Sequence, residues 1–380
     1  MKERRLPRTL AGVLAWPMMR TLAAVLVTAA VVVFLSVKLN AFRDFQIAEI
    51  ATYTTAVAGL TVLTGLSGQI SLGHGAFMAI GAYATALLLL HLGWPFIVVL
   101  LISGVLTAAA GAIVGVAAAR LRGPYLAGAT LMLGVALPSI ANAYTGMFGG
   151  DQGLNVVFTA PGFLGTTFPL TRWQAWVAAA TALVTLTLLA NLSRGRVGRN
   201  WRAVRDDEVA AALAGINVAA ARILAFVISA ACAGLAGSLL AITTALVAPG
   251  AYTITLSITL LTAAVIGGLG TLPGAVWGAL VIVLVQTYIT DLATSHGLSA
   301  TVGANIPVAA YGLILILVML AFPQGLQGAV RKLLGLFIQP RGAGQPAATG
   351  EPAGTGQPEG AGPQDEPTSR KKAHNEVSHP

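Results

Sequence analysis

Ser193–Arg222 reads SRGRVGRNWRAVRDDEVAAALAGINVAAAR. Between Phe45 and Val330 the chain carries about fifteen acidic or basic residues, and nine of them fall here: Arg194, Arg196, Arg199, Arg202, Arg205, Asp206, Asp207, Glu208 and Arg222. Long apolar runs flank the segment on both sides. Membrane proteins concentrate Lys and Arg in the loops that stay in the cytoplasm. The stretch therefore reads as a cytoplasmic loop between two spans, and it sets the fold class: an all-α integral membrane protein, a polytopic helical bundle.

Within the loop, Asp206 is placed to cap a short helix, with Asp207 and Glu208 in the first turn, where the helix dipole favours negative charge. Val209, Ala212, Leu213 and Ile216 follow at i, i+3, i+4 and i+7, which makes one apolar stripe. Gly215 is placed to end the helix and Asn217 to cap the next. The expected order is a short surface helix from about Asp207 to Ala214, a turn, then a membrane helix. A solvated loop whose arginines only fix topology is one reading; a docking element is the other, and the stripe between two caps favours it.

Composition agrees with the membrane assignment. Of 380 residues, 56% are hydrophobic and 9% charged, where soluble domains carry about 25% charged residues. The net charge of +9 resides in an N-terminal arm, the central loop and the far C-terminus, a pattern of topology and anionic-lipid attraction. No basic patch is interleaved with contact residues, so nucleic-acid binding is not expected. The single cysteine, Cys232, lies in an apolar helix, which leaves no disulfide framework or metal cluster to build. MKERRLPR opens the chain and reads as the inner flank of a retained helix.

A helix needs about twenty residues to cross a bilayer. Ten spans are expected, at 20–39, 46–66, 74–92, 95–119, 124–146, 172–192, 220–244, 253–270, 273–292 and 305–322. With the N-terminus inside, Arg120 and Arg122, the loop 193–222, and Arg331 and Lys332 all fall on the same face. Both termini are then cytoplasmic. The domain plan is a basic arm 1–19, a membrane domain 20–330, and a Pro/Gly-rich tail 339–380 whose composition cannot bury enough apolar surface to fold.

Among the apolar runs, Gly65–Gly81 (GLSGQISLGHGAFMAIG) stands out. Five glycines with Ser67, Gln69, Ser71 and His74 interrupt what would be two helices, and glycine costs up to about 1 kcal/mol per helical position. Irregular backbone is tolerated at membrane depth where it is buried or lines a watery cavity, and broken helices build transporter sites. The expected topology puts this turn near the cytoplasmic face, where an ordinary loop is the alternative. Ser67, Gly68, Gln69, Ser71, Gly73 and His74 are the candidate pathway residues. His74 is weighed as a proton relay against a hydrogen-bonded structural histidine, and the lack of an acidic neighbour in sequence favours the structural role. A second interruption, Gly267–Gly278 (GGLGTLPGAVWG), joins spans eight and nine, and the recurrence hints at internal duplication. The pairs Gly111–Gly115 and Gly274–Gly278 read as helix-packing faces.

Glu49 and Asp291 lie near outer helix ends, and no acidic residue falls at a bilayer midplane, which argues against a proton-driven symporter. No GxxxxGK[ST], HExxH or GxSxG motif occurs, nor any metal-ligand spacing. The chain is not expected to be an enzyme. Transport driven by ATP would need its ATPase on a separate chain, and a cytoplasmic docking loop to meet it.

GLTVLTGLSGQISLGHGAFMAIGAYATALL, GGDQGLNV, AVRDDEVAAALAGINVAAARILAFVISAACAGLAGSLLA, VIGGLGTLPGAVWGAL and FPQGLQG follow one another in that order. Together they resemble the permease subunits of ABC importers for branched-chain amino acids, the M-type permease in particular, from about Phe45 to Gly328. The resemblance implies a bacterial inner-membrane importer with a second, related permease, two cytoplasmic ATPases that use the ATP, and an extracytoplasmic binding protein that chooses the substrate. No cofactor is bound by this chain. Arg202, Arg205, Asp206, Asp207, Glu208, Ala211, Leu213 and Gly215 correspond to the ATPase-coupling segment. Here VAAALAG stands in place of the general EAAxxxG pattern, with Val209 where glutamate would be. A urea- or amide-type permease, an ion-gradient-driven carrier and a membrane scaffold or channel are the alternatives to amino-acid import.

Overall fold

The computed structural model describes residues 17–38, 40–121, 123–160, 168–295, 300–321 and 325–338. The chain divides into two units, Met1–Phe337 and Ile338–Pro380, and the first holds the membrane helices. The arm before residue 17, Arg122 and the tail 339–380 lie outside the described residues.

The unit is helical. In chain order it comprises α1 (Pro17–Lys38), α2 (Ala41–Leu60, continued by a π-turn Thr61–Leu66), α3 (His74–Leu92), α4 (Phe96–Ala118), α5 (Pro124–Ala143), the short α6 (Thr145–Phe148), and α7 (Leu170–Arg194). Then come α8 (Arg196–Asp206), α9 (Glu208–Leu213), α10 (Val218–Thr244), α11 (Ile254–Gly267), α12 (Leu272–Ser295), α13 (Ala300–Ala321) and α14 (Gly325–Ile338). A helix stands at each of the ten expected spans. Seven among the described residues are long and apolar enough to cross a membrane. The expected crossing 253–270 is corrected: α11 has 14 residues, about 21 Å at 1.5 Å per residue, short of a hydrocarbon core of about 30 Å.

The centre of the bundle is α10. It packs against α2, α3 and α4 and touches α7; two-thirds of its most apolar stretch is buried, as it is for α2, against 22% for α5. Small residues make this possible. A side chain at Gly81 would strike the backbone of Gly234, and one at Gly111 would strike Ala230, so α3 and α4 approach α10 backbone to backbone, as small-residue faces allow in membranes. The pairs Gly111–Gly115 and Gly274–Gly278 are packing faces as expected, against α10 and α11 respectively.

The two ends of the bundle differ. One carries the loop between α7 and α10, Arg120 and Arg331; Arg331 lines one recess with Arg194, Arg202 and Gly270. This is the basic end, and it gathers the described basic clusters on one side as the sequence pattern requires. The opposite end is closed by a two-residue ladder, Leu154–Asn155 antiparallel to Leu246–Val247, and by Arg172, whose Nε lies 3.6 Å from the buried Asp44 carboxylate. That pair ties the start of α7 to the start of α2.

Two interruptions reach into the bundle. From the basic end, Ser67–Gly73 runs inward as irregular backbone: the Leu72 N–H donates to Thr130 Oγ1 at 3.0 Å, six residues into α5 or about 9 Å along it. His74 then meets the Ala56 carbonyl, ten residues from the end of α2 at Leu66, or about 15 Å. The expectation that this turn sits at the face is thus corrected: α3 begins near mid-depth. From the far end, Ala245–Thr253 descends to α11, and the Gly75 N–H donates to Ser257 Oγ at 2.9 Å, so the starts of α3 and α11 meet inside. Within Gly267–Gly278 the second break is a tight turn, Gly268–Thr271, which joins α11 to α12 at the basic end as expected, and Gly270 lies against Gly65.

Candidate coupling surface and translocation site

The loop at the basic end contains two helices where one was expected. Val197, Trp201 and Val204 give α8 an apolar face at i, i+4, i+7; Trp201 and Val204 are buried, and the Trp201 indole N–H donates to the Ala221 carbonyl at 2.9 Å. This anchors α8 on the start of α10. That periodicity is in the sequence, but the arginines around it draw the eye to charge.

After α8 comes the capped element. The cap is Asp207, not Asp206: its Oδ1 accepts from the N–H groups of Val209 (2.8 Å) and Ala210 (3.0 Å). Asp206 ends α8 and pairs with Arg205, Nη2 to Oδ1 2.8 Å. The helix spans Glu208–Leu213, shorter than the expected Asp207–Ala214. Its far end closes as expected. Gly215 has φ +83°, the left-handed region that favours glycine, and the Ile216 N–H reaches the Ala211 carbonyl while the Gly215 N–H reaches that of Ala212. This double bond pattern is a Schellman stop. Asn217 caps α10 through Ala220 N–H at 2.9 Å.

The stripe on α9 faces outward. Val209 and Leu213 are 69% and 85% exposed, Ala212 is exposed, and Ile216 is half-buried. Ala211 alone turns inward. Val209, Ala212 and Leu213 line a shallow groove with Ala119, Val218 and Ala219. Glu208 forms a salt bridge with Arg222, which staples α9 to α10 across the turn.

The loop also meets the broken segment, through the Arg205 side chain and the Arg222 backbone. Arg205 Nη1 donates to the Gly65 carbonyl at 2.7 Å, and its aliphatic stem lies on Gly68. Gln69 Nε2 donates to Ser67 Oγ at 2.7 Å and approaches the Arg222 carbonyl at 3.3 Å. Arg202 Nη2 meets the Ser193 carbonyl at 3.1 Å. The sequence offers loop and break as separate candidates; the structure joins them at Arg205, Arg222, Gly65 and Gln69.

The pathway candidates accordingly separate by depth. Ser67, Gly68 and Gln69 belong to the basic end, whereas Ser71, Gly73 and His74 lie deeper. Ser71 and His74 are buried, and a side chain at Gly73 would strike the Thr130 carbonyl. His74 Nε2 lies 3.0 Å from the Ala56 carbonyl, and since a carbonyl only accepts, that nitrogen carries the proton. The histidine thereby fixes the start of α3 to α2. Sequence reasoning missed Ser257 and Thr130, which hold the broken segment at depth; single hydroxyls in apolar helices carry no distinguishing pattern. Among the described residues no group of three or more His, Cys, Asp or Glu could hold a metal ion.

Comparison with known proteins agrees with this architecture. The family described as branched-chain amino acid transport system / permease component matches residues 43–323. The high-affinity branched-chain amino acid transport system permease protein LivM of Escherichia coli is 34% identical over 61% of this chain and 60% of its own length. LivH of the same organism is 29% identical over 73% of this chain and 92% of its own. BraD of Pseudomonas aeruginosa, a permease protein of a branched-chain amino acid transport system, is 30% identical over the same shares. The chain spans about 60% of the length of the LivM relatives it matches. No solved structure matches significantly. A multi-helix membrane bundle whose sequence fits the family pattern through nearly all its described spans belongs to the family of permease components of branched-chain amino acid transport systems.

Proposed function

We propose that this chain is the membrane-spanning permease subunit of an ATP-driven importer of branched-chain amino acids, working beside a second, related permease. Two cytoplasmic ATPases would drive it, and an extracytoplasmic binding protein would deliver the substrate. The observation that carries the reading is α9: a helix capped at both ends by its own sequence, stapled by Glu208–Arg222, with Val209 and Leu213 turned to solvent. An apolar stripe held rigidly outside a membrane bundle supplies the contact face of a helix laid in a groove. The bond from Arg205 to Gly65 and the Gln69 contact with Arg222 give motion of that helix a direct route to α2 and α3.

In this reading the basic end faces the cytoplasm, and the described start of α1 lies there. The substrate is an aliphatic zwitterion, which hydroxyl, amide and backbone groups can meet without a fixed charge buried in hydrocarbon. Purification of the chain from its native membrane tests the assembly: a P-loop ATPase in stoichiometric amount, and leucine uptake by the complex that requires ATP, are expected. Uptake by this chain alone on a sodium or proton gradient would overturn it in favour of a secondary carrier.

A further inference from the structure

The climb from Gln69 to His74 leaves peptide groups without partners. The Leu72 N–H is satisfied by Thr130 and the Gln69 carbonyl by Thr64 Oγ1 at 3.2 Å. Among the described residues, no hydrogen bond engages the N–H or the carbonyl of Ile70 or Ser71, apart from contacts of the Ser71 hydroxyl. Ile70 meanwhile is 50% exposed, between Gln69 at the level of Arg222 and Leu72 at the level of Thr130. Arg222 lies four residues into α10, about 6 Å, and Thr130 about 9 Å into α5. Ser71 is fully buried, so it is at Ile70 that the bare backbone reaches the side of the bundle, inside the span of the helices.

Lipid cannot cover such a surface. Hydrocarbon offers no partner to a free peptide group, so irregular backbone at membrane depth is either buried in protein or lines a water-filled cavity. The exposed faces of α4 present no such conflict: Ile113 is 76% exposed on a helix whose backbone groups bond one another.

We infer that Gly68–Leu72 forms a wall of the route by which a small zwitterion crosses, facing water at Gly68 and Ile70, with the open N–H and carbonyl of Ile70 as its contacts. One donor and one acceptor on an uncharged strand suit a carboxylate and an ammonium on one small molecule, and they hold neither strongly enough to trap it. The wall is also attached to the drive. Arg205 lies along Gly68 and bonds Gly65, so a displaced coupling loop moves the strand that lines the route. The substrate assignment rests on the importer reading; the water-facing wall does not.

Thiol labelling tests it in the assembled complex. The native cysteine, Cys232, is buried and serves as a quiet background. Ile70→Cys is expected to react with a membrane-impermeant cationic methanethiosulfonate at least ten-fold faster than Ile113→Cys. Saturating leucine with the binding protein is expected to slow that reaction, and the labelled complex should lose uptake. Leu72→Cys carries the same comparison if Ile70→Cys does not assemble. Reaction of the wall position no faster than Ile113→Cys overturns the inference, whether lipid or a second permease chain covers the strand. Fast labelling of a complex that takes up no leucine leaves the wall standing and removes the amino-acid importer reading instead.

Discussion

Arg205 joins two parts of the molecule that the sequence presents 140 residues apart. Its guanidinium is held on one side by the Asp206 carboxylate (Nε 3.0 Å, Nη2 2.8 Å) and extends Nη1 to the Gly65 carbonyl. A planar fork makes those contacts together; a lysine ammonium cannot. We expect Arg205→Ala and Arg205→Lys both to lower leucine uptake about ten-fold while the ATPase still co-purifies, because α9 itself is untouched. Wild-type uptake in either variant would reduce Arg205 to a surface ion pair of little consequence. At this scale the sequence is ambiguous where neighbours are chemically alike. Asp206, Asp207 and Glu208 can each begin a helix, and the choice of Asp207 is made by its extended backbone (φ −156°, ψ 112°), which no residue type announces. Such a cap contributes about 1 kcal/mol. Gly215 and Asn217 were legible because each has one plausible task at its spacing.

Element by element, α9 was visible before its surroundings were. An i, i+3, i+4, i+7 stripe between a cap and a glycine specifies a helix and its outward face, and the exposure of Val209 and Leu213 agrees. Leu213→Asp is expected to abolish retention of the ATPase by placing a charge in the contact face. Gly215→Val, strained at φ +83° with open space around it, should lose uptake by re-aiming the turn into α10. Arg196→Ala, at an exposed position, should be nearly silent. The measurement is uptake and ATPase co-purification at matched expression; normal behaviour of both Leu213→Asp and Gly215→Val would return the loop to a topology signal. The break after α2 was legible as an interruption and misplaced in depth. Glycine spacing marks where a helix stops, whereas depth depends on Thr130, Ala56 and Ser257 in three other helices, and a single sequence does not pair them.

Across the whole molecule, hydropathy recovered the helices and charge recovered which loops share an end, because both are imposed locally by the bilayer. The length of α11 escaped that reading since apolar composition continues past the helix end at Gly267 through Gly268, Leu269 and Gly270. The central position of α10 was equally hidden, and it has a consequence for how the chain is made. Gly59, Gly81, Gly104 and Gly111 on α2, α3 and α4 all turn towards α10, yet α10 begins at Val218. At roughly 5–20 residues per second of synthesis, those helices wait on the order of ten seconds or more in the membrane with their small-residue faces unoccupied. A nascent chain ending within the α7–α10 loop should therefore be an open set of spans that proteases clear, and one extended through Thr244 should resist them. Pulse-chase decay of the two truncations measures the difference; equal lifetimes would show that the early helices find one another without their centre. The order of synthesis thus makes the middle of this protein the last part of its core to arrive, and a quality-control window opens until it does.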